Sequence, residues 1–184
     1  MIKVGREKLA DKKLSSLIFE KSLQSYFFKE LEELNKHANP QLPIKAIHYS
    51  SLVMEQFETS ENFFEKTEGK LREKILGIKL LEVNNLPLPQ AKRSLKDVGD
   101  TALFLCGFFS ESLNRKMIDE KYYHDLGKMA YDRLDSIEPS FYKIISNNFD
   151  MLTVLINLVS KKSKMINEMN SYFLIDANKK EDPN

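Results

Sequence analysis

The sequence predicts an all-α fold, a bundle of five or six mostly antiparallel helices. Three observations carry this. Apolar residues recur at steps of three and four along most of the chain, which is helical periodicity. Nothing alternates with period two for more than a few residues, and no Asn-Gly or Asp-Gly hairpin signal occurs. Punctuation is sparse: Asn39-Pro40, Pro43, the stretch from Asn84 to Pro89, Asn114 and Glu138-Pro139. At 184 residues and 42% apolar, the chain can bury one real core. The expected organisation is a single domain over 1–175 with a polar, disordered tail at 176–184.

The first helix is expected from near Ser15 to Ala38, with Leu23, Phe27, Leu31 and Leu34 as its stripe and Leu17 and Ile18 above. Asn39-Pro40 ends it, because a residue before proline avoids the helical region. Pro43 suits the first turn of a second helix, on which Ile44, Ile47, Ser51, Met54 and Phe57 continue at helical steps. The reading weakens over Thr59 to Thr67, where Phe63 and Phe64 are expected to be buried. A third helix over about Glu68 to Val83 should turn Leu71, Ile75, Ile78 and Leu81 inward. Asn84 to Pro89 is a loop.

The fourth helix, near 90–113, is the most apolar. Leu95, Val98, Ala102, Leu105, Phe109 and Leu113 form one stripe, and Phe104 and Phe108 add a second face. A helix apolar nearly all round belongs in the middle of a bundle. A buried strand would also suit the short run Ala102 to Phe109, but the longer segment keeps helical spacing. Asp119 suits the N-cap of a fifth helix, about Glu120 to Asp135, whose stripe is Tyr123, Gly127, Ala130 and Leu134, with Tyr131 alongside. Pro139 opens the last helix. There Tyr142, Ile145, Phe149, Leu152, Ile156 and Val159 form a heptad seam, which Ile166, Met169 and Phe173 would extend.

Charge and cysteine usage exclude more than they identify. The 28 basic and 27 acidic residues leave a formal charge of +1, so no global field points to nucleic acid. The basic clusters at Lys161, Lys162 and Lys164, at Lys70, Arg72 and Lys74, and at Lys92, Arg93 and Lys96 have acids close by and read as solvated faces. No nucleic-acid partner is expected. The charged start, Met1 to Ser16, lacks the apolar core of a secretory signal, and the longest uncharged apolar run, Thr101 to Ser110, is too short for a membrane span. A cytoplasmic protein is therefore expected, and Cys106 inside that run reads as a small buried hydrophobe.

Catalytic signatures are missing from the sequence. It has no phosphate-cradling Gly-rich loop, no nucleophile elbow and no His-Glu-x-x-His pair. Of the three histidines, His37 suits a helix C-terminus, His48 sits among Ile44, Ile47, Leu52 and Met54, and His124 stands four residues after Glu120. A haem or metal sensor at His48 or His124 is a third possibility; no catalytic residue, cofactor or metal is assigned.

The segment Gly99 to Leu113 is unlike ordinary helix filling. Gly99, Leu103 and Gly107 fall on one stripe, although each helical glycine costs up to about 1 kcal/mol against alanine. Gly127 does the same in the next helix. Gly99, Gly107 and Gly127 therefore read as helix-packing positions on two small-residue faces that meet, bracketed by Tyr123 and Tyr131. Asp100 would need a partner if buried, and a tyrosine hydroxyl is a candidate. The functional version of this contact is a polar, ligand-binding pocket lined by Asp100, Tyr122, Tyr123, His124 and Tyr131.

The same stretch, Gly99 to Leu134, resembles a pattern in a family of small, uncharacterised bacterial all-helical proteins. The matching residues are Gly99-Asp100, Leu103-Phe104, Gly107-Phe108-Phe109, Ser112-Leu113, Tyr122-Tyr123, Gly127 and Ala130-Tyr131. The resemblance implies a bacterial, cytoplasmic protein and carries no activity, cofactor or catalytic residue. Two functional readings follow. The first is a non-enzymatic, regulatory module that binds another protein or forms a homodimer. The second is a ligand-binding or enzymatic bundle with its pocket at Asp100, Tyr123, His124 and Tyr131.

Overall fold

The structure, a computed structural model, describes residues 22–57, 64–67, 70–73, 75–113 and 120–163. It is an all-α bundle. Its helices are α1 (Leu23–Lys36), α2 (Ile44–Gln56), α3 (Leu76–Glu82), α4 (Leu88–Phe108), α5 (Ser110–Leu113), α6 (Glu120–Ile137), α7 (Tyr142–Asn147) and α8 (149–163). A 3₁₀ turn, Val83–Asn85, follows α3. Between α2 and α3 lies a small antiparallel hairpin of β1 (Phe64–Thr67) and β2 (Lys70–Glu73), in register Phe64↔Glu73 and Thr67↔Lys70. The 176–184 tail, the start of the first helix, Asp119, and Ile166, Met169 and Phe173 lie outside the described residues.

The helix count exceeds the expected five or six because two expected helices are each broken once. Helix α4 ends at Phe109, whose φ of −121° and ψ of 22° leave the helical region, and α5 resumes at Ser110. The last helix breaks at Asn148. Its side-chain Nδ2 donates to the Ile144 carbonyl at 2.7 Å, an alternative to the backbone ladder that asparagine readily offers. The heptad seam survives the break from Ile145 on: Ile145, Phe149, Leu152, Ile156 and Val159 are all fully buried, while its first residue, Tyr142, is half-buried.

Local sequence accounts for the helix ends. Ser22 caps α1, its Oγ accepting from the Ser25 N–H. The chain leaves α1 at His37 rather than running on to Ala38. Asn35 fastens the following loop, donating from Nδ2 to the Leu42 carbonyl at 3.0 Å and accepting from the Leu42 N–H at 2.8 Å. Pro43 and Pro87 stand at the N-caps of α2 and α4, where a missing N–H costs nothing.

Helix α4 is the centre of the bundle, as its composition predicts. Leu95, Val98, Gly99, Asp100, Ala102 and Leu103 are all buried in a helix that packs chiefly against α6, with α3 and α2 beside it and α8 meeting it at Gly107. The stripe holds at Leu95, Val98, Ala102 and Leu113, while Leu105 is half-buried and Phe109, where the helix bends, is exposed. Ile44, expected on the inner stripe of α2, is also exposed.

The third helix needs the largest correction. It begins at Leu76 rather than Glu68, since Lys70–Glu73 is a strand. Its buried residues are Leu76 and Leu80, followed by Val83, whereas Ile75, Ile78 and Leu81 face outward, Leu81 being 72% exposed. Both stripes are apolar and helically spaced, so periodicity alone cannot choose between them. Tertiary packing settles it: α3 lies against α4 and α6 with Leu76 and Leu80 inward, and Gly77 on its flank lies beside the Tyr122 hydroxyl of α6.

Candidate functional site

The glycine positions set how closely the helices approach. A Cβ on Gly99 would stand 2.7 Å from the Tyr131 ring, and one on Gly127 would stand 2.5 Å from Phe149 and 2.9 Å from the Ala102 Cβ. The small-residue faces of α4 and α6 do meet at these two points. Gly107 serves a different contact, because its Cβ would meet Ile156 of α8 at 2.5 Å.

That closeness carries the Tyr131 hydroxyl to Asp100. Both residues are fully buried, and the hydroxyl donates to Asp100 Oδ1 at 2.8 Å. Tyr49 of α2 donates to the same oxygen at 2.5 Å. Lys96, one turn earlier on α4, donates to Oδ2 at 2.5 Å with its ammonium also 5.4 Å from the centre of the Tyr49 ring. Burial, followed by the nearby carboxylate, pushes both phenols far above the ordinary tyrosine value, so they stay protonated donors.

Full burial likewise pushes the Asp100 carboxyl above its ordinary value of 3.8, against the pull of Lys96 and the two phenols. A carboxyl raised on folding contributes stability that is complete below 3.8 and is lost as pH rises through the folded value. Asp100→Asn removes that titration. In urea melts between about pH 7 and pH 4 the wild type should gain on the variant as pH falls. A gap that stays constant or narrows on acidification contradicts the raised carboxyl.

The five residues expected to line one pocket are divided among three neighbourhoods. Asp100 and Tyr131 bond each other. Tyr122 reaches Gly77, and its ring meets that of Tyr123 at 5.5 Å. His124 faces α8, with Nε2 2.9 Å from Asp150 Oδ1 and its ring edge-on to Phe149 at 4.7 Å. It is Asp150, not Glu120, that His124 pairs with. Among the described residues no group of three or more His, Cys, Asp or Glu side chains could hold a metal ion. Cys106 is buried, and burial followed by Glu120 pushes its thiol up to about 12.

Two members of the cluster were missed in the sequence. Lys96 stands at i−4 from Asp100, a helical ion-pair spacing that was there to be read. Tyr49 is 51 residues away and has no local signal. Beside the cluster, the hydroxyls of Ser50 and Thr101 are buried without a hydrogen-bond partner among the described residues. Replacing such a group by an apolar isostere removes its desolvation cost, so Thr101→Val should raise stability by about 1 kcal/mol in chemical denaturation. A loss of stability would mean that the hydroxyl is satisfied.

Tyr49 also joins the buried cluster to the surface. It lines an apolar groove of about 840 Å³, with Phe28 of α1, Ile44, His48 and Leu52 of α2, and Phe141 just before α7. Its ring packs edge-on against Phe141 at 5.0 Å, so the bonds to Asp100 also fix one wall of the groove. The groove lies open along its length, with Ile44 54% and Leu52 41% exposed. His48 is exposed, its ring edge-on to that of Phe28 with the centroids 5.9 Å apart. No helix among the described residues is long and apolar enough to cross a membrane. No protein-family model, curated protein or solved structure matches this chain.

Proposed function

We propose that this chain is a non-enzymatic interaction module, cytoplasmic and bacterial as the resemblance over Gly99 to Tyr131 implies, which receives a helical segment of another protein. The observation that carries the reading is the groove. Ile44, His48 and Leu52 recur every fourth residue on α2, between the rings of Phe28 and Phe141. Its volume is within the range of small-ligand sites. A small ligand, however, is normally enclosed over most of its surface, and here the anchors stand half in water. An amphipathic helix, which buries one stripe and leaves the other face wet, suits that exposure better.

Self-association is the second reading. Ile75 at the N-cap of α3, Ile78 and Leu81 within it, and Val154 and Leu158 of α8 are exposed large apolar side chains. Such surface is more than a scatter of isolated apolar residues. The ligand-binding or enzymatic alternative at Asp100, Tyr123, His124 and Tyr131 has less support, because Asp100 and Tyr131 satisfy each other and His124 is turned to Asp150.

The test is a paired affinity capture with the full chain and its Leu52→Glu variant, followed by mass spectrometry of what each retains. The substitution is at an exposed position and should leave folding within about 0.5 kcal/mol. A protein held by the wild type and released by the variant supports docking in the groove. Equal retention by both, or loss of nothing but a second copy of the chain, overturns it, the latter in favour of self-association.

A further inference from the structure

Resting on the helix-docking reading, we infer that the partner segment is an acidic amphipathic helix, which lays its apolar stripe along Ile44, His48 and Leu52 and sets a carboxylate beside Lys45. From Ile44 to Leu52 the α2 backbone rises about 12 Å, a little over two turns of a helix laid alongside. The partner therefore needs apolar anchors at i, i+4 and i+7, between the walls made by Phe28 and Phe141.

The sign of the partner's charge follows from the lining. It contains Lys45 and His48 and no carboxylate. Lys36, Lys92, Lys143 and Lys162 have acids to hand, Glu33, Glu138, Asp132 and Glu30 in turn, whereas Lys29, Lys121 and Lys45 are exposed without such an ion pair among the described residues, and of these Lys45 alone lines the groove. Lys45 has no carboxylate within ion-pair distance among the described residues. Lys96, whose ammonium also lies near the Tyr49 ring, is already held by Asp100. One end of an otherwise apolar channel thus carries an uncompensated positive charge, and it is also the N-terminal end of α2, where the helix dipole adds partial positive charge. A carboxylate docked there meets both, while a lysine would be repelled by both.

Two synthetic helical peptides test this, sharing one leucine stripe at i, i+4 and i+7 and flanked either by glutamates or by lysines. Each is titrated by fluorescence anisotropy against the full chain, Lys45→Glu and Leu52→Glu, with melting curves to show that the variants fold. The glutamate peptide should bind about tenfold more tightly than the lysine peptide at low ionic strength, a margin that added salt narrows. Lys45→Glu should reverse the order, and Leu52→Glu should weaken both peptides. Equal affinities, a preference for the lysine peptide, or a glutamate preference indifferent to Lys45→Glu would overturn the acidic partner while leaving the groove as a helix site. Failure of both peptides to bind the wild type would overturn the groove reading as well.

Discussion

Asp100→Ala should cost about 3–5 kcal/mol of folding stability, the range for breaking a buried charge network by removing one member. The phenols of Tyr49 and Tyr131 both donate to Asp100 Oδ1, and both are buried. Without the carboxylate each becomes a buried donor with no acceptor, at about 1–3 kcal/mol apiece. Lys96 adds little, because its side chain is 41% exposed and can turn to water. The desolvation of Asp100 itself is recovered, which keeps the total below the sum of the parts. Urea unfolding measures the loss. The decisive comparison is a chain carrying Asp100→Leu, Tyr49→Phe and Tyr131→Phe together. If unpaired donors cause the damage, removing the carboxylate together with both buried phenols should restore most of the stability, Lys96 being able to turn to water. A triple variant weaker than Asp100→Ala would show that the network is not the origin of the loss.

The same residues show what could be read from the sequence and what could not. Helical spacing is a local property, so the central place of Leu95, Val98 and Ala102 and the seam from Ile145 to Val159 were legible. A glycine inside an apolar helix signals a close approach, and Gly99 and Gly127 do face α6 and α4 respectively. What Gly107 touches was not legible, because spacing says that something is near and not which helix brings it. A buried acid must find donors, so a tyrosine for Asp100 was foreseeable; that Tyr49 would be a second required the packing of α2 beside α4. Helix α3 failed for another reason. Ile75, Ile78 and Leu81 form as good a stripe as Leu76, Leu80 and Val83, and only packing against α4 and α6 selects between them. The groove was hidden likewise, because spacing puts Ile44 on the inner stripe with Ile47, Ser51 and Met54, and only the packing of the helix turns it outward beside His48 and Leu52.

Gly127→Ala should destabilise the chain by about 2 kcal/mol, and the sign is informative because two effects oppose each other. Alanine in place of a helical glycine gains up to about 1 kcal/mol from propensity. Against this, the new methyl would lie 2.5 and 2.7 Å from Phe149 ring atoms and 2.9 Å from the Ala102 Cβ. The Phe149 ring is fully buried and has His124 and Tyr131 against it, at 4.7 and 6.2 Å between centroids. Ala102 has no side-chain freedom, so relief on that side means moving the α4 backbone. Overpacking of this kind costs about 1–3 kcal/mol, occasionally more, and two rigid neighbours place Gly127 at the upper end, so packing wins. Gly77→Ala reverses the balance. Its nearest atom is the Tyr122 hydroxyl, the far end of an exposed side chain that can swing aside, so that variant should be neutral or slightly more stable. Phe149→Leu offers the cross-check, since it shortens the blocking side chain. Combined with Gly127→Ala it should cost less than the two single changes added together, by more than the roughly 0.5 kcal/mol within which independent sites add. Strict additivity, or a Gly127→Ala chain that melts above the wild type, would mean that α4 and α6 are free to separate and that the glycine contact does not fix the position of Tyr131 over Asp100.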